Sequence, residues 1–143
     1  MSNQVTAEGM ALPPIVLSHV DYYQLADLAK ATLARYQADD AKFLLEELRR
    51  ADVVPVSWVP SGVVTMDSHV EFRDDQSGRV RRVQLVSPYQ ADLKKGRISV
   101  LSLVGAALVG LAENQSITCR TRIGGARRLT VLRTSNTPFP EER

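Results

Sequence analysis

Arg120, Arg122, Arg127 and Arg128, with Arg82 ahead of them, are the residues whose type and spacing could engage another molecule. Guanidinium groups on one sheet face attract acidic protein or nucleic-acid surfaces. Charged side chains at the outward positions of a strand are also simply solvated, and that plainer reading is preferred. Other chemistry is scarce. Cys119 is the single cysteine, which excludes an intrachain disulfide and any Cys/His metal spacing. Alternating with Ile117, it reads as a small buried hydrophobe. His19 and His69 stand among non-ligand neighbours and read as surface histidines. With no Gly-rich phosphate loop and no nucleophile arrangement, neither a metal nor a cofactor is expected, and no catalytic residue is assigned.

The elements that must position these residues begin with an uncharged run. Between Arg97 and Glu113 lie 15 residues without a charge, in a chain where 24% are charged. A membrane span needs roughly 20 predominantly apolar residues, and Ser99, Ser102, Gly105 and Gly110 interrupt this run further. No membrane partner is expected. The opening MSNQVTAEGM lacks a basic stretch ahead of an apolar one, so a cytoplasmic protein is expected. The net charge of +2 divides unevenly: residues 1–51 carry 5 Lys/Arg and 7 Asp/Glu, and residues 52–143 carry 13 and 9. Two charge characters suggest two structural units.

The first unit, residues 15–53 after a flexible tail over 1–14, reads as a short antiparallel helical hairpin. Ile15 to Leu17 is extended after two prolines. Ser18 followed by Asp21 is a helix start, the hydroxyl capping free N–H groups and the carboxylate complementing the dipole. Leu25, Leu28, Thr32 and Tyr36 recur at helical spacing. After a turn at QADD, AKFLLEELRRADV reads as a second helix. Asp39 and Asp40 stand at that turn, where one can cap the second helix and the other complement its dipole. Residues 54–62, bracketed by prolines around Trp58, form a linker, with Trp58 expected to pack against one of the units.

The second unit, residues 63–135, reads as strand-rich, with a flexible tail over 136–143. Val70 and Phe72 alternate with polar neighbours, DDQSGR turns, and Val83 and Leu85 alternate with Arg82 and Gln84, giving a hairpin. Ser116 to Arg122 and Arg127 to Arg133 flank IGGA as a second hairpin. Between them, Ile98 and Val100 are strand-like and Val104 to Leu111 helix-like, apolar nearly all round. The expected fold class is α+β: a helical hairpin, then an antiparallel sheet wrapped on one short helix.

The order VTM-S-V-F, P-x-x-AD before G-R-I-S-V, and VGAAL-x-GL with its trailing SI resembles the C-terminal domain of the Gre transcription elongation factors. It is closer still to a relative of them. The likeness covers roughly residues 62–135, and PPIVLSHVDYYQL extends it into the first unit. It implies an FKBP-like second unit and docking to RNA polymerase at the rim of its secondary channel. Contact with DNA or RNA is expected only indirectly, through the polymerase. In Gre factors two acidic residues at the tip of a long arm help hold a magnesium ion that cleaves the transcript; magnesium takes hard oxygen ligands. Asp39 and Asp40 hold the matching tip here, on an arm much shorter than a Gre arm. The resemblance therefore implies a non-enzymatic regulator that occupies the polymerase and competes with Gre factors. Gre factors meet the channel rim through an Asp-Ser-Pro stretch after the I-S-V strand. Ser102 survives here between Leu101 and Leu103, so these three residues are either an apolar docking knob or core. The FKBP-like fold also invites a peptidyl-prolyl isomerase or chaperone-like reading, which needs an aromatic pocket built from Phe72, Tyr89 and Trp58; fold does not fix function.

Overall fold

The computed structural model of the chain describes residues 12–36, 39–120 and 125–140. The chain enters through a short strand, β1 (Val16–Ser18), and turns directly into α1 (His19–Tyr36). The Ser18 hydroxyl makes that turn possible by accepting from the Asp21 N–H at 3.0 Å, as the S-x-x-D spacing requires. Helix α2 (Asp39–Arg49) runs back beside α1 and feeds β2 (Asp52–Val54), which pairs in parallel with β1. Near its end, Glu47 and Arg50 form a buried ion pair at 2.6 Å, and Arg50 also donates to the Pro13 carbonyl. The incoming strand is thereby tied to the outgoing helix.

The connecting segment is exposed, not packed. It makes a 3-10 turn over Val56–Trp58, and Trp58 is 71% exposed. The expectation that this tryptophan seals a junction is corrected: Pro55 and Pro60 hold the segment extended on both sides, and the turn points the indole into solvent.

Five strands then form one sheet in the order β5-β4-β3-β7-β6. The hairpin of β3 (His69–Asp74) and β4 (Val80–Val86) is antiparallel, with Val70, Phe72, Val83 and Leu85 inward. The second hairpin joins β6 (Ser116–Arg120) to β7 (Ala126–Ser135), and its turn, expected at the IGGA stretch, lies outside the described residues but for Gly125. The sheet is not wholly antiparallel: β5 (Arg97–Ser99) pairs in parallel with β4 at one edge. The uncharged run supplies β5 and then α3 (Leu103–Leu108), which packs against both α2 and β6. The helix ends three residues short of Leu111, because Val109 turns extended and Gly110 follows in the left-handed region at φ 86°.

A single apolar core runs through both parts of the molecule. Ile15, Leu17, Leu25, Leu44 and Leu48 of the hairpin join Phe72, Leu85, Leu108, Leu111 and Leu129. Gly110 is the contact point: a Cβ there would stand 2.9 Å from the Ile15 Cβ. Its carbonyl accepts from the Val16 N–H at 3.0 Å, and its own N–H donates to the Val64 carbonyl at 2.8 Å. Only a residue that tolerates positive φ and lacks a side chain lets β1 approach this closely. The chain's end also returns to the sheet. Phe139, placed by its sequence in a poorly ordered tail, is 5% exposed, with the Arg133 guanidinium 4.3 Å from its ring centre.

Candidate functional site

Leu101, Ser102 and Leu103 form the turn between edge strand β5 and α3. Val100 before them is fully buried, whereas Leu101 and Leu103 are half-buried against the core. Ser102 fixes the turn twice. Its hydroxyl donates to the Ser99 carbonyl at 2.7 Å and accepts from the Gly105 N–H at 3.0 Å, so it is the N-cap of α3. The Ser99 hydroxyl adds a bond from the Leu101 N–H at 2.9 Å. The turn is rigid, and its two leucines are each part anchor and part surface.

The parallel pairing of β5 with β4 brings a further residue to this edge. Val86 stands opposite Ser99, so both strands leave the sheet at the same end. The chain after β4 makes a 3-10 turn over Pro88–Gln90, and Tyr89 within it is 85% exposed. Sequence reasoning assigned Tyr89 only to an aromatic pocket. The signal that could have placed it was the Pro-led turn following a strand, which holds a side chain outward.

The five arginines are not gathered on one bare face. Arg82 pairs with Glu71 at 2.7 Å, Arg128 with Asp75 at 3.0 Å and Arg127 with Asp74 at 2.8 Å. Arg127 and Arg128 are adjacent in β7 and so point to opposite faces of the sheet. The Arg120 side chain and Arg122 lie outside the described residues. Glu71 also receives Arg133, and Asp75 also receives Arg73. The Arg82 hydrogen bond holds the Glu71 carboxyl below its usual range against the opposing effect of burial, with Arg133 adding to the shift. Arg127 does the same for Asp74. What the sequence offered as a basic face is a lattice of alternating charge.

Asp39 and Asp40 are the first two residues of α2, where a carboxylate complements the helix dipole; their side chains and residues 37–38 lie outside the described residues. Cys119 is buried, and burial pushes its thiol up, so it stays protonated. The aromatic residues that an isomerase pocket requires do not converge: Phe72 is fully buried in the core, and Tyr89 and Trp58 project from separate exposed turns. No described helix is long and apolar enough to cross a membrane.

A sheet capped by α3, entered from a helical hairpin, with a serine-pinned turn at its edge, defines a class that comparison with known proteins makes specific. Residues 59–136 match the family model described as transcription elongation factor, GreA/GreB, C-terminal, and residues 13–54 match the Rnk N-terminus. The chain belongs to the Rnk branch of the GreA/GreB transcription elongation factor family. It is 35% identical over 123 residues to the regulator of nucleoside diphosphate kinase of Escherichia coli K12, covering 86% of this chain and 90% of that one. Transcription elongation factor GreA of Syntrophobacter fumaroxidans is 34% identical over 93 residues, covering 65% of this chain and 59% of GreA. Among solved structures, a prokaryotic GreA/GreB elongation factor from Nitrosomonas europaea superposes with a TM-score of 0.66 at 33% identity. That match covers 86% of this chain and 98% of the other. These relatives are regulators and transcription factors, which links the present chain to RNA polymerase.

Proposed function

We propose that this chain is a non-enzymatic regulator that docks at the rim of the RNA polymerase secondary channel and competes there with Gre factors. On this reading it works in the cytoplasm and meets DNA or RNA only through the polymerase complex. The observation that carries the proposal is the edge at Leu101–Ser102–Leu103, in the region where the family's C-terminal domain meets its partner. Its leucines are half-exposed on a turn fixed by four hydrogen bonds, counting the Ser102 N–H to the Ser99 carbonyl at 3.0 Å. A rigid apolar knob loses little conformational entropy on burial, which favours docking. Exposed Tyr89 at the same end of the sheet extends the surface, and tyrosine is enriched at such contacts.

The hairpin supports occupancy without cleavage. Helix α2 has 11 residues, a length of about 16 Å at 1.5 Å per residue, and its Ala41, Leu44 and Leu48 are buried. An arm committed to the core from its first turn has little length left to project into a channel. Asp39 and Asp40 then serve the helix start and hold no metal. The test is a backtracked elongation complex incubated with the protein and with the variant carrying Asp39→Asn and Asp40→Asn. Polymerase binding should be retained by both, because Asn caps about as well as Asp, and transcript cleavage should be stimulated by neither. Cleavage that appears with the parent protein and vanishes in the variant would overturn the reading.

A further inference from the structure

A groove of about 580 Å³ opens where the start of α1, the connecting segment and the end of β7 meet. Its size lies within the roughly 300–1,000 Å³ of ligand-holding clefts. The groove shares no lining residue with the Leu101–Leu103 edge. Val20, Val56, Val59, Pro60 and Met66 give it aliphatic walls. Val20 and Val56 are both more than half exposed, and Trp58 stands in the same turn as Val56. Apolar surface gathered around a cleft in this way marks an interaction site more often than a stability device.

The charge in the groove is one-sided. Asp21 is its ionisable side chain, and no Lys, Arg or His lines it among the described residues. Asp21 is half-buried; the Met66 N–H donates to its Oδ2 at 3.1 Å, and among the described residues no cation pairs with it. Burial pushes its carboxyl up, the Met66 N–H opposes the shift and nearby Asp67 adds to it. The free N–H groups at the start of α1 do not call for an anion here, because Ser18 caps them and Asp21 already sits over the first turn. The unanswered demand is for positive charge on an apolar body. Arginine meets it better than lysine: its guanidinium is weakly hydrated, offers a planar fork to a carboxylate and stacks on indole.

We propose that this groove receives an arginine side chain from an extended segment of a partner protein, with the guanidinium against Asp21 and apolar neighbours against Val56 and Trp58. The site is independent of polymerase docking at the sheet edge. The probes are three capped tripeptides, acetyl-Val-Arg-Val-amide and its Lys and Met counterparts, titrated into the isotope-labelled full chain and followed by amide NMR and by the emission of Trp58, the single tryptophan. The Arg peptide should shift the Asp21, Met66 and Ser68 amides saturably and change the emission, the Lys peptide should bind more weakly, and the Met peptide should not saturate. Asp21→Asn keeps an acceptor for the Met66 N–H and should weaken Arg-peptide binding at least about tenfold, the scale of one charge-assisted hydrogen bond. Val56→Lys, at an exposed position remote from the core, should weaken it comparably, so the claim does not hang on the folding of one variant. Equal affinity for the Lys or Met peptide, undiminished binding by both variants, or no saturable shift overturns the assignment. So does a concentration-dependent shift of the same amides in protein alone, which would mean that a second copy fills the groove.

Discussion

Ser102 and Gly105 show how little chain is needed to fix the candidate docking turn. A Cβ added at Gly105 would stand 2.1 Å from the Ser99 carbonyl oxygen and 3.0 Å from Leu85 Cδ1, so neither backbone nor core can yield cheaply. Gly105→Ala should therefore destabilise by at least about 1–3 kcal/mol, the usual cost of overpacking, and thermal unfolding measures it. Ser102→Ala removes the cap of α3 and the bond to Ser99, and should cost about 0.5–2 kcal/mol in the same assay. Cys119 offers a separate check on the core. Buried, with its thiol pushed up, it should react with a water-soluble thiol reagent only as fast as the protein unfolds. Rapid labelling of the native protein would place β6 nearer the surface than described.

Among the elements, α3 is the piece on which both halves of the molecule rest. Leu108 is fully buried, and Leu108→Ala should cost about 2–5 kcal/mol by urea unfolding. A near-native midpoint would mean that α3 is not the core element. The hairpin of β3 and β4 carries a different dependence. Glu71 is held below its ordinary value of 4.5 by Arg82 and Arg133. A carboxyl depressed in the folded state stabilises above its unfolded value, and that contribution is lost as pH falls through the folded one. Its partners are about a third exposed, so water screens the pairs and their worth at neutral pH is under about 1 kcal/mol. Glu71→Gln should thus lower stability slightly at pH 7 and converge with the parent protein below pH 4.5. A gap between the two proteins that widens on acidification would reverse the sign of this argument.

At the scale of the whole molecule, what was legible in the sequence was what short-range spacing encodes. Ser18 with Asp21, the alternation through Val70 and Phe72, and the uncharged run with Gly110 near its helix end each specify a local structure within a few residues. What escaped was set by distant partners. Asp74 meets Arg127 and Glu71 meets Arg133 across 53 and 62 residues of sequence, so an apparent basic face could not be seen to be neutralised. Phe139 looked like tail because its seat, Arg133 and Arg82, is assembled only by the sheet. Trp58 looked like core by type, yet two flanking prolines hold its turn outward. The docking edge was legible as a position but not as a surface, since half-burial of Leu101 and Leu103 depends on how α3 seats.

The account's central claim is that this edge binds RNA polymerase. Leu103 is the first residue of α3, where an aspartate favours the helix dipole, so Leu103→Asp should leave folding largely intact while placing a charge in an apolar contact. The measurement is displacement of a labelled Gre factor from core RNA polymerase by the parent protein and by this variant, with thermal unfolding of both recorded alongside. The parent protein should displace the Gre factor, and Leu103→Asp should lose that ability by at least about tenfold while melting close to the parent. A parent protein that fails to displace the Gre factor, or a folded variant that competes equally well, would contradict the claim.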